Sequence, residues 1–172
     1  MDDPPPGRTT ETAESRQRWG WSGHGEGAKV EKDAVGLFLD DVAYAFADIS
    51  VSALPAILAV YMLGDIRPFG ARTATLVAWL TMVVVAAVIR GGWVTPLGSD
   101  VPGWVTLAPS LVLLRFLYFN AALALAGYGG AAISGELALP LESVGFAFVV
   151  GVLSAALFPR LAEDVSRRLA DS

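Results

Sequence analysis

The chain has 172 residues, 54% of them hydrophobic and only 17% charged, with a mean hydropathy of +0.54. An ordinary soluble domain carries about 25% charged residues, and here the apolar residues gather into runs long enough to cross a bilayer. The net charge of −5, the absence of cysteine and the single histidine, His24, leave no basic patch for nucleic acid, no disulfide or thiolate site, and no histidine-ligated metal or cofactor.

Residues 1–33 hold three consecutive prolines, spaced glycines and a polar run, with little apolar surface to offset the cost of ordering, and read as a disordered acidic tail. The tail lacks the basic start and apolar core of a signal peptide. Trp19 and Trp21 are its only tryptophans and fit contact with a membrane interface. Residues 1–41 carry nine acidic and five basic side chains, and only two of the chain's twelve basic residues are lysines, Lys29 and Lys32. This acidic, lysine-poor composition resembles that of proteins from salt-loving archaea.

Asp33 is placed to cap a helix that runs on as a first span over 42–63. At about 100° per residue, Asp41, Tyr44, Asp48, Ser52 and Pro55 lie within about 80° of one another and form a polar stripe. Pro55 has no N–H for the carbonyl of Val51, which predicts a kink. Asp40 and Asp41 point about 100° apart and are expected to be solvated at the interface rather than paired on a metal.

After a Gly- and Pro-containing connection over 64–72, the cleanest apolar run, 73–89, forms a second span flanked by Arg72 and Arg90. It has no internal charge and is expected to be the most lipid-exposed helix. A turn-rich segment, 90–103, leads to a third span over 104–128, which carries Arg115 near its middle and Asn120 beyond it. An arginine at the centre of a span costs about 2.5–3.5 kcal/mol on insertion scales, so the other helices must shelter it. Ala122, Ala126 and Gly130 form a small-xxx-small series suited to close helix contact.

Residues 127–136 read as a flexible connection. A fourth span over 137–158 carries Pro140 and Glu142 near its start and Ala147, Gly151 and Ala155 on one face. Residues 159–172 read as a short cytoplasmic amphipathic helix. The expected fold is therefore all-α: an integral membrane four-helix bundle over 34–158, preceded by the tail. Six basic residues near the membrane on one side (Lys29, Lys32, Arg90, Arg160, Arg167, Arg168) against Arg67 and Arg72 on the other place both termini in the cytoplasm of a multi-pass cell-membrane protein.

The intramembrane polar candidates are Asp48, Arg115, Asn120 and Glu142. Counting helical rise from the span ends, Asp48 and Arg115 differ in depth by about 7 Å, and Glu142 and Arg115 by about 12 Å. Asp48 is the expected partner of Arg115. A lone carboxylate in the first of four helices is shared with small multidrug transporters, but the central arginine and the long tail set this chain apart. No catalytic constellation, phosphate-cradling loop or cofactor motif is present. The expected function is non-catalytic, a scaffold or accessory subunit embedded in lipid that pairs with itself or with a membrane partner. A small transporter or channel using Asp48 and Arg115 is the alternative.

Overall fold

The structure, a computed structural model, describes residues 34–64, 67–99, 109–136 and 140–170. The tail with Trp19 and Trp21, the Asp33 cap and the first five residues of the expected third span lie outside the described residues. Among those described there are five helices and no strand: α1 Ala34–Ser52, α2 Leu54–Leu63, α3 Ala71–Arg90, α4 Pro109–Glu136 and α5 Pro140–Ala170. Three of them, α3, α4 and α5, are long and apolar enough to cross a membrane. The count rises to four if α1 and α2, bent by 66° at their junction, make one span.

The junction falls at Ala53, two residues before Pro55, whose fixed φ suits the first turn of α2. The expected kink is thus a break between two helices. At the other end of the hairpin α3 stops at Gly91-Gly92-Trp93. Trp93 N–H reaches the carbonyl of Val88 at 3.0 Å, Gly92 N–H that of Ile89 at 3.0 Å, and Gly92 takes φ 77°. This is a Schellman stop, and it needs glycine at the left-handed position.

Small residues set the packing. α3 contributes Ala71, Ala74, Thr75, Ala78, Met82, Val83 and Ala87 to the interior and touches all four other helices. It is not the most exposed helix: 39% of its apolar window is buried, the same share as in α4 and α5. Freedom from charge made it fit for the centre, because alanines let neighbouring backbones come close.

Two boundaries differ from expectation for the same reason. α4 does not end near residue 128 but continues through the glycines to Glu136. Gly127 and Gly130 are buried there, and a methyl on Gly130 would sit 2.5 Å from Cβ of Ala74. Glycine costs about 1 kcal/mol in a helix relative to alanine, and here close packing on α3 offsets it. The segment from 159 onward is likewise no separate helix, because α5 runs through Pro159 to Ala170. Phe158 and Ala162, on either side of the proline, are buried in the core.

Gly145 and Gly151, both in α5, give a matched test. A methyl on Gly151 would meet the carbonyl oxygen of Ala78 at 2.8 Å and Cβ of Thr81 at 2.9 Å, whereas Gly145 has nothing within 4 Å. Gly151→Ala is expected to destabilise the bundle by about 1–3 kcal/mol, and Gly145→Ala to stabilise it by about 0.5–1 kcal/mol. Unfolding of the purified protein checks both; equal effects would contradict the α3–α5 contact.

Candidate functional site

The polar stripe of α1 meets a polar partner at every level. Nearest its start, Asp41 is 4% exposed and its Oδ1 lies 3.3 Å from Nε of Arg90, the last residue of α3. The Arg90 guanidinium also stands over the Tyr44 ring, 4.4 Å from its centroid, close enough for a cation–π contact. Asp41 is therefore not the solvated interface residue expected beside Asp40. Asp41 shares the buried side of α1 with Ala45 and Ile49, and Arg90 comes in to meet it.

Two turns further on, Asp48 Oδ2 lies 3.3 Å from Arg115 Nε. The two side chains are unequally covered, at 43% exposed for Asp48 and 5% for Arg115. Phe158 of α5 closes the other side, with the Arg115 guanidinium 5.9 Å from its ring centroid. Phe158 is itself fixed by Phe119, at 4.8 Å between centroids, and by Tyr118, at 5.5 Å.

Asn120 sits at the break between α1 and α2. Its Oδ1 accepts the N–H of Ala56 at 2.7 Å, and its Nδ2 donates to the carbonyls of Ser52 at 2.8 Å and Phe116 at 2.6 Å. Ser52 and Ala56 are four residues apart, so the Asn120 amide is inserted into the helical hydrogen bond that would have joined them. Side-chain insertion of this kind is one of the few causes of a sharp helix kink. One N–H on one side and two carbonyls on the other leave the amide a single sensible orientation.

Of the four candidate residues the structure brings three together, Asp48, Arg115 and Asn120, along one seam between α1 and α4. Glu142 is not among them. It is exposed in the first turn of α5, where a carboxylate suits the helix dipole, and it lies sixteen residues, roughly 24 Å, along α5 from Phe158. Sequence reasoning missed Arg90 as the partner of Asp41 and gave Asn120 no partner. Among the described residues no three acidic or histidine side chains gather where a metal ion could sit.

A family described as a domain of unknown function (DUF8215) matches residues 32–165, a stretch that takes in the whole seam. The chain belongs to this family. No curated protein and no solved structure matches it.

The unequal covering of the ion pair gives a directional prediction. Asp48→Asn strands a buried guanidinium, and breaking a buried pair from one side costs about 3–5 kcal/mol. Arg115→Met should cost less, because the Asp48 side chain it leaves is nearly half exposed and can take up a proton. The double substitution should recover much of the loss of Asp48→Asn in a double-mutant cycle, whereas Glu142→Gln should show no coupling to Arg115→Met. Additive losses for Asp48 and Arg115 would mean that the pair does not hold the helices.

Proposed function

We propose that the chain is a multi-pass integral membrane protein of four spans, with α1 and α2 together forming the first, and that it acts without catalysis as a scaffold or accessory subunit. The observation that carries this reading is the use of the seam. Asp41 and Arg90, Asp48 and Arg115, and Asn120 with the backbone of Ser52 and Ala56 each join one helix to another. The two acids and two arginines balance in charge, and each lies within reach of a partner of opposite sign. Such an arrangement suits fixing helix register. The lipid bilayer is the first partner, and a second copy or another membrane protein would meet the exposed apolar helix faces.

A transporter or channel is the second reading, and one observation favours it: the Asp48 side chain is 43% exposed although it lies in a span. Intramembrane carboxylates often handle ions or protons. Liposomes containing the purified protein and a pH-sensitive dye separate the two. The scaffold reading expects an imposed proton or sodium gradient to decay as in empty liposomes. Faster decay that is lost in Asp48→Asn would replace it with the transporter.

Orientation supplies another test. The segment after α3 and the end of α5 share one end of the bundle, where Ser99 donates to Glu163 at 2.8 Å and Leu97 N–H to the carbonyl of Ala156 at 3.1 Å. Arg90, Arg160, Arg167 and Arg168 lie at that end and Arg67 and Arg72 at the other, so the positive-inside rule puts the richer end in the cytoplasm. The chain has no cysteine, so introduced ones react without background. In intact cells an impermeant thiol reagent should label Pro68→Cys and Glu136→Cys and spare Thr95→Cys. All three positions are exposed. The reverse pattern would invert the proposed topology, and a protein released by alkaline washing would remove the membrane assignment itself.

A further inference from the structure

We propose that the joint between α1 and α2 is a hinge latched by Asn120, and that α2 is a swinging arm able to straighten onto α1. This goes beyond the scaffold reading and rests on the geometry of the break. The departure from helix is confined to one residue, Ala53, with φ −98° and ψ 9° against about −63° and −42° in a regular helix. Helical bonds persist on both sides of it, from Ala53 N–H to the carbonyl of Ile49 at 2.9 Å and from Ile57 N–H to that of Ala53 at 3.1 Å.

The groups that Asn120 holds apart are matched to each other. Withdrawing its amide leaves the carbonyl of Ser52 and the N–H of Ala56 four residues apart, ready to close the bond of a continuous helix. Pro55 removes the neighbouring bond from Val51 in either state, so the turn at the joint is held by less than a full ladder. A bent helix spliced by a side chain and a straight one closed by its own backbone make two discrete arrangements of one element.

The arm is held by Ala56 and Val60 and, at its far end, by the Arg72 guanidinium 5.4 Å from the Tyr61 ring centroid. Only Ala56 and Val60 of α2 are buried, while Leu54, Leu58, Tyr61, Met62 and Leu63 are exposed. A methyl on Gly64 would lie 3.4 Å from Cβ of Ala71, so the end of α2 and the start of α3 lie close together. Seven residues drawn out reach about 23 Å. Rotating a ten-residue helix through the 66° bend moves its far end by about 16 Å, which that reach covers. The latch also bears on the ion pair, because Asn120 and Arg115 lie on one stretch of α4, and Ser52 and Asp48 on one turn of α1. Releasing the first loosens the seam at the second.

Spin labels on cysteines at Met62 and Leu141, both well exposed, read the position of the arm in the full chain. The wild-type protein should give one narrow distance distribution. Asn120→Leu should add a population displaced by on the order of 10 Å, and Asn120→Leu with Pro55→Ala should make that population dominant. A second pair at Leu80 and Leu153, on α3 and α5, should stay unchanged and so report an intact bundle. If the Met62–Leu141 distance is the same in Asn120→Leu as in wild type, Asn120 is no latch and the proposal is wrong. If the control pair shifts in Asn120→Leu, Pro55→Ala alone, which keeps every Asn120 bond, becomes the deciding variant. A displaced minor population there supports the hinge, and an unchanged distribution overturns it.

Discussion

A guanidinium that is 5% exposed has to be neutralised by protein, and the placement of α1 follows from that need. Arg115 stands on a helix whose neighbouring residues Val112, Leu113, Phe116 and Leu117 are exposed and apolar, and its counter-charge comes from another helix. Asp48 fixes α1 against α4 at one height, and Phe158 brings α5 against the third side. A second ion pair, Asp41 with Arg90, lies seven residues back along α1, roughly 10 Å. Two anchors define a line. They hold α1 antiparallel to α3 and parallel to α4, and they leave only the segment past Ser52 free to take another course.

Both prolines that fall within helical stretches release a carbonyl, and nearby carbonyls find partners on other elements. At Pro55 the adjacent Ser52 carbonyl goes to Asn120. At Pro159 the carbonyls of Ser154 and Ala156 accept from the Tyr118 hydroxyl at 3.0 Å and the Leu97 N–H at 3.1 Å. In water such groups would be hydrated, but in the proposed bilayer setting each has to be met by protein. α4 is the main supplier. Arg115, Tyr118 and Asn120 fall within two turns of it and serve α1, α5 and α1 again, which is why its polar groups do not line up on a single face.

The parts of this architecture legible in the sequence are those written in one helix at a time. The apolar runs located α3 and the cores of α4 and α5, and the stripe through Asp41, Tyr44, Asp48 and Ser52 marked the flank of α1 that meets Arg90, Arg115 and Asn120. Helical rise alone ranked Asp48 above Glu142 as the partner of Arg115, because depth along a span is a one-dimensional quantity. Features that depend on a neighbour were not legible. Gly127 and Gly130 read as a loop until Thr75 and Ala74 are seen against them. The centrality of α3 did have a signal, in Ala71, Ala74 and Ala78, but small residues matter only once something packs on them. Asn120 gave the weakest hint, since its partners are backbone groups that exist only because α1 breaks opposite it.

The Asn120 amide shows how tightly the break and the ion pair belong together. Its oxygen takes one N–H and its nitrogen gives both hydrogens to carbonyls, so its donors are fully used and only one lone pair of the oxygen is spare. A rearrangement of α2 therefore cannot proceed by gradual loosening. Freeing the Ser52 carbonyl and the Ala56 N–H exposes both at once, and each unmet buried group costs about 1–3 kcal/mol until the helix closes on itself. That penalty separates the bent and straight forms by a barrier. The ion pair beside it is less fully engaged, since the Asp48 side chain remains nearly half exposed. The seam thus combines a stiff clamp at Asn120 with a softer contact at Asp48, and an external partner or ion reaching α1 would act on the softer contact first.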